Sequence, residues 1–556
     1  MERLHHKVWP LGRPHDIPAP AHTLNDNLFR HAATTPDKAA LVFYGRVTTY
    51  AQLGDQATRI AGWLQNRCGV QPGDRVGIQL QNSPQWVAAF YGIIRAGAVA
   101  VPINPMNLTD ETDYIVEDAG IRTLFTAQDR ERELEPLLAQ NILDHVIVAT
   151  YSDELPADPH ENLPPEIAAP RATLPGHCTA WAEMIAANET PAPFNRTPED
   201  LAVMPYTSGS TGRGKGCMHS HQTAIHAINS MVDWFGLGGD DVFFCVAPMF
   251  HVVGLQAGLN SAIQAGGTSV ILPRWDREIA AHLIREFGVT AWPCVPTMII
   301  DFLNRPTLRD DDLATLRVLW GGGIAMPEAV AEKLRRLTGL TFLEGYGMTE
   351  TIAPTSANPP HLPKPQCAGI PVFNTDVAIV DPDTLTPMPQ GETGEILISG
   401  PQVMLAYWNN DEANAESFVT LEGQRFLRSG DLGYLDENGY IFIVDRLKRM
   451  INASGYKVWP TEVEAKLYHH PAIEEACIIA SNDPYRGETV KAVAVLKPGA
   501  TLTAKELSQW AHEHMAAYKV PRLLEIVTAL PKSGSGKVLW RELQERENAK
   551  SKDTAQ

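Results

Sequence analysis

Short apolar segments alternate with amphipathic helical segments along most of this chain. Residues 75–80 (RVGIQL) and 98–103 (AVAVPI) are predicted strands, and residues 83–97 between them form a predicted helix with proline in its first turn and glycine at its end. Residues 276–288 place apolar side chains on one helical face, and the strand-like residues 289–293 follow. Repeated β–α units of this kind form parallel sheets covered by helices. The predicted fold class is therefore α/β.

The pattern changes after about Asp445. Two capping-box sequences, Thr461-x-x-Glu464 and Thr503-x-x-Glu506, each predict the start of a short helix. Strand-like residues 475–481 and 490–496 lie between them. We therefore expect a large N-terminal domain of helix-covered β-sheets, residues 1–445, and a small α+β C-terminal domain, residues 446–556. The proline-rich, acidic residues 151–176 are predicted to form a surface excursion.

Composition narrows the classes of partner. The net charge of −19 over 556 residues disfavours nucleic acid and anionic membrane surfaces. The seven cysteines lie far apart without a CxxC pair, which argues against a disulfide framework and a zinc site and suits a reducing cytosol. The N-terminal residues lack an apolar signal-peptide core, and no stretch approaches the roughly 20 apolar residues of a membrane span. We expect a soluble, cytoplasmic protein with no integral membrane segment.

A glycine-rich loop, TSGSTGRGKG, occupies residues 207–216. Its glycines permit positive φ and close backbone approach, and consecutive N–H groups in such a loop form an anion-binding nest. Hydroxyl donors and one cation accompany them: Thr207, Ser208, Ser210, Thr211 and Lys215, interspersed with Gly209 and Gly212. A flexible surface turn is the alternative. A Walker-type nucleoside triphosphatase is disfavoured, because Gly216 stands where that motif carries its magnesium-binding hydroxyl.

Further motifs follow this loop in a fixed order. They are PMFH ending at His251, GYGMTE at Gly345–Glu350, GEILISGPQVMLAYW at Gly394–Trp408, RSGDLG with Asp431, DRLKRMINASGYKVWPTEVE at Asp445–Glu464, and LPKSGSGKVLWREL with Lys537. This series resembles the adenylate-forming superfamily of acyl-CoA synthetases, luciferases and peptide-synthetase adenylation domains, and it is most similar to fatty-acid–CoA ligases. Ser210 and Gly214 replace the usual threonine and proline of the loop, and neither change removes a needed donor.

The resemblance implies a two-step reaction. A carboxylic acid and ATP give acyl-AMP and pyrophosphate, and a thiol then displaces AMP. The catalytic residues implied are Lys537, which contacts the carboxylate and the α-phosphate, together with Glu350 and His251. Thr207 and Glu350 would hold Mg²⁺, which favours oxygen ligands and bridges phosphates. For His251 a packed core histidine is the alternative.

The remaining nucleotide contacts are also carried over from the resemblance. Asp431 and Arg446 would bind the ribose, and the phosphate loop would hold the β- and γ-phosphates. The other implied positions are Gly323, Gly345, Tyr346, Gly347, Met348 and Thr349. The small domain is expected to be mobile and to rotate about a hinge near Lys448, which withdraws Lys537 and brings Gly455, Tyr456 and Lys457 beside the thiol.

The identities of the acid and the thiol follow less directly. No acidic residue accompanies MFHVVGLQAG, which disfavours amino acids, and only 19 residues follow Lys537, so free coenzyme A is the expected acceptor. The predicted acid-pocket lining includes Val252, Leu255 and Trp320. Gly321–Gly323 are predicted to turn the chain into a helix and to leave space for a medium- or long-chain fatty acid. Because Leu255 occupies the region where some long-chain members carry a tryptophan gate, a short branched, hydroxylated or aryl acid stays open.

Two other functional classes remain at this point. A luciferase-like adenylating oxidase would share these motifs, and a non-catalytic small-molecule binding protein would keep the fold while usually losing Lys537 or Glu350. The sequence also leaves a homodimer open.

Overall fold

The computed structural model describes residues 3–159, 163–207, 213–323, 326–453, 456–483, 487–532 and 538–553. The strands within them are β1 Ala39–Phe43, β2 Arg46–Thr49, β3 Arg75–Gln79, β4 Val99–Pro102, β5 Thr123–Ala127, β6 His145–Ala149, β7 Cys178–Ala180, β8 Leu201–Val203, β9 His219–Ser220, β10 Val242–Cys245, β11 Thr268–Ile271, β12 Ala291–Cys294, β13 Val318–Gly322, β14 Leu343–Tyr346, β15 Ser356–Ala357, β16 Ile370–Pro371, β17 Asp376–Val380, β18 Gly394–Ser399, β19 Phe418–Leu421, β20 Gln424–Leu435, β21 Ile441–Arg446, β22 Ile451–Ala453, β23 Tyr456–Val458, β24 Ile473–Asp483, β25 Gly487–Leu496 and β26 Leu523–Ile526.

The α-helices are α1 Leu24–Thr34, α2 Tyr50–Asn66, α3 Pro84–Arg95, α4 Thr109–Ala119, α5 Glu135–Ala139, α6 Pro165–Ala168, α7 Trp181–Ala186, α8 His221–Phe235, α9 Ser261–Ala265, α10 Arg277–Glu286, α11 Pro296–Leu303, α12 Glu328–Thr338, α13 Asp411–Ser417, α14 Pro460–Leu467, α15 Ala504–His514 and α16 Trp540–Asp553. Short 3₁₀ turns occupy Leu4–Val8, Glu131–Leu134, Tyr151–Glu154, Thr349–Thr351 and Leu447–Arg449, and a π-helix spans Val253–Asn260. Among these described helices, none has both the length and the apolar content needed to span a bilayer.

Two large, mostly parallel sheets form the N-terminal part of the chain, as the β–α alternation predicted. One is seven-stranded in the order β7-β6-β5-β3-β4-β8-β9, and the other is nine-stranded in the order β16-β15-β14-β13-β12-β10-β11-β1-β2. Helix α3 begins at the Ser83 cap, whose hydroxyl accepts a hydrogen bond from the Trp86 amide at 3.2 Å. Nearly every side chain of α3 is buried, because it packs against α1, α2 and strands β3 and β4.

Two smaller sheets complete the structure. Strands β17 to β21 form a five-stranded antiparallel sheet, and β22 to β26 form another sheet in the C-terminal part of the chain with its own hydrophobic cluster. The protein is therefore an α/β structure with a large N-terminal domain and a smaller C-terminal domain. The predicted hinge at Lys448 falls in the 3₁₀ turn between β21 and β22, and its mobility stays a prediction.

The capping box predicted at Thr461 is wrong. Helix α14 already starts at Pro460, and the carboxylate of Asp445 accepts from the Thr461 amide at 2.7 Å. Glu464 instead pairs with the guanidinium of Arg449. The capping box at Thr503 is confirmed. A distant carboxylate satisfied the first turn of α14, so the local pattern gave the wrong cap.

The segment 151–176, predicted to form a surface excursion, is only partly on the surface. Tyr151 and Ile167 are buried in the main hydrophobic cluster, and the Tyr151 hydroxyl accepts from the Gln81 amide at 2.8 Å. The seven cysteines are all free in the structure.

The glycines at 321 and 322 continue strand β13 rather than forming the predicted turn. A Cβ on Gly321 would lie 1.7 Å from the carbonyl oxygen of Cys294, and one on Gly322 would lie 2.2 Å from that of Gly345. Gly323 has a φ of +96° and open space around it. The first two glycines therefore let β12, β13 and β14 approach one another, and only the third leaves room beside the strand ends.

We predict that Gly322→Ala lowers the free energy of unfolding by about 1–3 kcal/mol, because the methyl group meets a backbone atom that side-chain movement cannot displace. Gly238→Ala is the matched control, since nothing lies within 4 Å of its Cβ position. Chemical denaturation followed by circular dichroism measures both variants. Equal stabilities of the two would contradict the close strand approach.

Candidate active site

A large cleft of about 990 Å³ lies where the parallel strands of the nine-stranded sheet end. The residues that follow β10, β11, β12 and β13 all contribute to its wall, as does the end of β14. Ligand sites in open α/β sheets form in this position, outside the carboxyl ends of the strands. Most of the predicted site residues in the described part of the chain line it: Thr207, Lys215, His251, Gly323, Gly345, Tyr346, Gly347, Met348, Thr349, Glu350 and Arg446.

The two ends of the glycine-rich loop, Thr207 and residues 214–216, are held together as a narrow hairpin, which we call the loop neck. The Thr207 amide donates to the Lys215 carbonyl at 2.9 Å, and the Lys215 amide donates to the Thr207 hydroxyl at 3.0 Å. The Tyr114 hydroxyl donates to the Gly214 carbonyl at 2.9 Å. Ser208, Gly209, Ser210, Thr211 and Gly212 lie outside the described residues. The ordered neck fixes where the loop starts and returns, so Lys215 faces the cleft.

The Glu350 carboxylate is connected to this neck through Tyr407. The Tyr407 hydroxyl donates to Glu350 Oε1 at 2.7 Å, and the Lys215 ammonium lies 4.6 Å from the centre of the Tyr407 ring. Burial, reinforced by the facing carboxylate, raises the pKa of Tyr407, so the phenol stays protonated and donates. Tyr407 lies in the motif at Gly394–Trp408, but no role was predicted for it from the sequence. The tyrosine of MLAYW was the available signal.

Backbone pairing brings the loop neck and Tyr407 together. Cys217 forms a β-bridge with Tyr407, and the Trp408 amide donates to the Gly216 carbonyl at 2.8 Å. The Glu350 carbonyl accepts from the Met404 amide at 2.8 Å. The segment 404–408 is thereby clamped between the loop neck and the turn that carries Glu350.

His219 is a second residue that sequence analysis missed. Its Nε2 donates to the Thr349 carbonyl at 2.9 Å, which fixes the backbone next to Glu350. Burial lowers the pKa of His219 to about 4, so the ring is neutral at physiological pH. Nothing in the HSH sequence at 219–221 distinguished this histidine from a surface residue.

Asp431 and Arg446 are direct neighbours on paired strands β20 and β21. Arg446 Nε lies 2.8 Å from Asp431 Oδ1, and the Tyr346 hydroxyl donates to Asp431 Oδ2 at 2.6 Å. The Asp431 carboxylate raises the pKa of Arg446, while burial and the same carboxylate raise the pKa of Tyr346. A buried carboxylate with one cation and one phenol is compensated, and it keeps lone pairs for further hydroxyl donors.

A second ion pair braces the strand that carries Asp431. Arg428 Nη2 lies 2.5 Å from Glu395 Oε2, and the Gly430 amide donates to Glu395 Oε1 at 3.3 Å. Glu395 and Arg428 both line the cleft. The pair joins β18 to β20 where the strand register shifts, and it thereby positions the backbone around Asp431.

His251 lies at the wall of the cleft, half-buried, and its Nδ1 accepts from the Val253 amide at 3.4 Å. Val252 and, in the π-helix that follows it, Val253 and Ala257 also lie on the cleft wall. Leu255, which we expected to line the acid pocket, is buried in the main hydrophobic cluster instead. A π-helix advances more residues per turn than an α-helix, so side-chain directions predicted with helical spacing were shifted.

Apolar side chains form the other large part of the lining. They belong to one hydrophobic cluster and comprise Met231, Trp234, Phe235, Ala257, Trp320, Leu343, Ala357 and Val372. The rings of Phe235 and Trp320 pack with centroids 4.9 Å apart. The cleft thus joins an apolar, partly aromatic compartment to the charged groups around Glu350 and Arg446.

The C-terminal domain covers part of this cleft through Leu447 and Trp540. The Arg449 guanidinium lies 5.5 Å from the centre of the Trp540 ring. Lys537 and Gly455 lie outside the described residues. For Tyr456 and Lys457, the structure describes only the backbone of β23. The roles implied for these four residues remain predictions.

The residues present fit a magnesium ion. Mg²⁺ is usually bound by one or two protein oxygen ligands together with substrate phosphates. The Glu350 carboxylate and the Thr207 hydroxyl supply oxygen atoms of the required kind on the same cleft, beside a loop neck that carries a cation. Outside the gaps in the described chain, no group of three or more histidine, cysteine or acidic side chains is placed to hold a metal.

Comparison with known proteins agrees with this geometry. Residues 28–408 match the family model of the AMP-binding enzyme, and residues 462–537 match that of the AMP-binding enzyme C-terminal domain. The long-chain-fatty-acid–CoA ligase of Bacillus subtilis (strain 168) is 36% identical over 549 residues, which cover 97% of each chain. The feruloyl-CoA synthase of an Amycolatopsis species is 34% identical over 521 residues, which cover 93% of this chain and 97% of the other.

Comparison with solved structures also finds an acyl-CoA ligase-like fold over nearly the whole chain. The crystal structure of ATP-bound MatB from Rhodopseudomonas palustris superposes with a TM-score of 0.84 at 27% identity, and the match covers 95% of this chain and 99% of the other. Both domains, the motifs in their order and the cleft are accounted for by one family. The chain belongs to the AMP-binding enzyme family and is an adenylate-forming acyl-CoA ligase.

Proposed function

We propose that this ligase activates a medium- or long-chain fatty acid with ATP and Mg²⁺ and transfers the acyl group to coenzyme A. The observation that carries the proposal is the continuity of one cleft, from the apolar compartment around Trp234 to the charged groups around Glu350. An acid whose tail fills the first part presents its carboxylate to the second. The similarity to a long-chain-fatty-acid–CoA ligase supports this choice of acid.

The first step is an in-line attack of the carboxylate on the α-phosphate of ATP. Charge spreads over phosphate oxygens in the transition state, so preorganised cations and N–H donors lower the barrier. Lys215 and the loop would hold the β- and γ-phosphates, and Lys537 would contact the carboxylate and the α-phosphate. Magnesium held by Glu350 and Thr207 would supply charge neutralisation there. Asp431 would accept hydrogen bonds from the ribose hydroxyls, with Arg446 beside it.

In the second step the thiol of coenzyme A attacks the acyl carbonyl and AMP leaves. The small domain would rotate near Lys448 between the steps, withdrawing Lys537 and bringing Gly455–Lys457 to the thiol. The 3₁₀ turn at Leu447–Arg449, between two sheets, is a short connection that can absorb such a change.

An aryl acid is the second candidate. The rings of Trp234, Phe235 and Trp320 line the apolar compartment, and aromatic surfaces favour flat, aromatic ligands. The similarity to a feruloyl-CoA synthase points the same way.

The reaction is tested by supplying ATP, Mg²⁺, coenzyme A and a panel of straight-chain, branched, hydroxylated and aryl acids. We expect AMP and pyrophosphate, and the best kcat/KM with a straight-chain acid of roughly 6–16 carbons, since each buried CH₂ contributes about 0.8 kcal/mol. A short branched, hydroxylated or aryl acid that exceeds octanoate about tenfold would reject the fatty-acid proposal and leave adenylation intact. ADP and orthophosphate as products would reject adenylation.

Tyr407→Phe should weaken the response to magnesium. It removes one hydrogen bond to the Glu350 carboxylate and keeps the ring beneath Lys215. We expect an apparent affinity for MgATP about tenfold lower, corresponding to roughly 1.5 kcal/mol for a hydrogen bond to a charged group. Coenzyme A use with supplied acyl-AMP should be unchanged. Mg²⁺ titrations of pyrophosphate release and fluorescence-detected MgATP binding provide the measurement.

Tyr206→Phe is the matched control for that variant. Its hydroxyl donates to Asp118 Oδ2 at 2.5 Å, and its backbone forms a β-bridge with Gly216 at the same loop neck. We expect a loss of stability without a change in the magnesium response. The same magnesium shift in both variants would mean that Tyr407 acts only by supporting the loop.

Lys537→Ala should slow the first step and spare the second. Loss of one cation on a developing anion costs about 10²–10³-fold in kcat. Thioester formation from supplied acyl-AMP should stay within about threefold of the unmodified enzyme, because the lysine has then been withdrawn. Rapid-quench assays of the two half-reactions measure the rates of acyl-AMP formation and of thioester formation separately. Equal slowing of the two halves would reject the alternation of the small domain.

A further inference from the structure

The N-terminal segment, residues 3–17, lies directly behind one wall of the apolar compartment. Trp9 is buried, and its ring centroid lies 5.1 Å from that of Trp234 and 5.5 Å from that of Phe373. Trp234 and Phe373 are themselves 5.5 Å apart, so the three rings form one edge-to-face cluster. Trp234 also lines the cleft. Trp9 therefore packs against Trp234, a side chain that lines the proposed acid site.

Trp9 and the cleft wall also share one hydrophobic cluster. That cluster contains Trp9 together with the lining residues Met231, Trp234, Phe235 and Trp320. Protein interiors are close-packed, so a wall residue with another ring packed behind it has no free space into which it can move. The depth available to the acid on this side thus depends on whether the position of Trp9 is filled.

Polar contacts hold the segment in place independently of the acid. Arg3 makes two hydrogen bonds to the Asp376 carboxylate, at 2.7 and 3.2 Å. The Ile17 amide donates to Asn374 Oδ1 at 2.9 Å, and the Trp9 indole donates to the Pro14 carbonyl at 2.9 Å. These contacts lie on both sides of Trp9 in the sequence, so they fix the segment across Phe373 and keep the indole inserted.

The orientation of Trp234 is fixed as well. Its indole N–H donates to the Asn358 carbonyl at 3.0 Å. This hydrogen bond and the rings of Trp9 and Phe373 together hold Trp234 in its position. The wall of the compartment is consequently rigid at this point.

We infer that Trp9 is a positioning residue for acid selectivity: by backing Trp234, the N-terminal segment sets the longest acid that the compartment accepts. The inference rests on the proposed function, because it takes the apolar compartment as the acid site. Trp9 itself touches no substrate. It acts through Trp234, and its removal would let that side chain move outward and lengthen the compartment.

The test compares Trp9→Ala and Trp9→Phe with the unmodified enzyme on straight-chain acids of increasing length. We expect the alanine variant to prefer an acid about two to four methylene groups longer, since the surroundings collapse only partly into the space left. KM for ATP should change less than about twofold, because the nucleotide groups are elsewhere in the cleft. The phenylalanine variant, which keeps a ring, should restore most of the original profile.

Trp181→Ala is the matched control. Trp181 is buried against Phe125 in the seven-stranded sheet, with ring centroids 5.9 Å apart, and it does not line the cleft. We expect a comparable loss of thermal stability and no change in the preferred acid. If Trp9→Ala lowers stability and leaves the profile unchanged, or if Trp181→Ala shifts it equally, the inference is wrong. Trp9→Leu replaces the alanine variant if the latter does not fold.

Equilibrium binding of the same acids, followed by tryptophan fluorescence, separates this inference from the proposed function. A longer preferred acid in binding by the alanine variant, without pyrophosphate release by any form, would support the role of Trp9 and reject ligation of these acids. Ligation by all forms with identical length profiles would support the ligase and reject the role of Trp9.

Discussion

The close approach of strands β12, β13 and β14 is the constraint on which the site depends. Gly321 and Gly322 remove the side chains that would collide with the backbones on either side. The ends of these strands, together with those of β10 and β11, then open on one edge, where the cleft forms. Loops from distant parts of the sequence meet there because parallel strands present all their carboxyl ends in one place.

Electrostatic compensation is the second constraint. Glu350, Asp431 and Glu395 are all nearly buried carboxylates, and each has a hydrogen-bond donor or a cation against it. An isolated buried charge would be costly, whereas a paired one is tolerated and holds its neighbours in register. The phenols of Tyr346 and Tyr407 serve this purpose while staying neutral.

The apolar part of the cleft is built differently. Its walls come from α8, the π-helix and strands β13, β14 and β15, and they belong to a cluster that continues outward to the N-terminal segment. Under the proposed function, selectivity for the acid would depend on these wall residues, most of which lie outside the sequence motifs. The relatives described above include both a long-chain-fatty-acid–CoA ligase and a feruloyl-CoA synthase.

The sequence by itself determined the α/β class, the order of the motifs and the family, because periodicity and short motifs are local properties of the chain. Most of the site residues that it predicted in the described part of the chain do line the cleft. Only the tertiary structure decided which groups meet. Tyr407 bonded to Glu350, Asp445 capping α14, Leu255 turned into the core by a π-helix, and Trp9 placed behind Trp234 all depend on contacts between segments far apart in sequence. Such contacts follow from packing and burial of the whole chain, which no local pattern encodes.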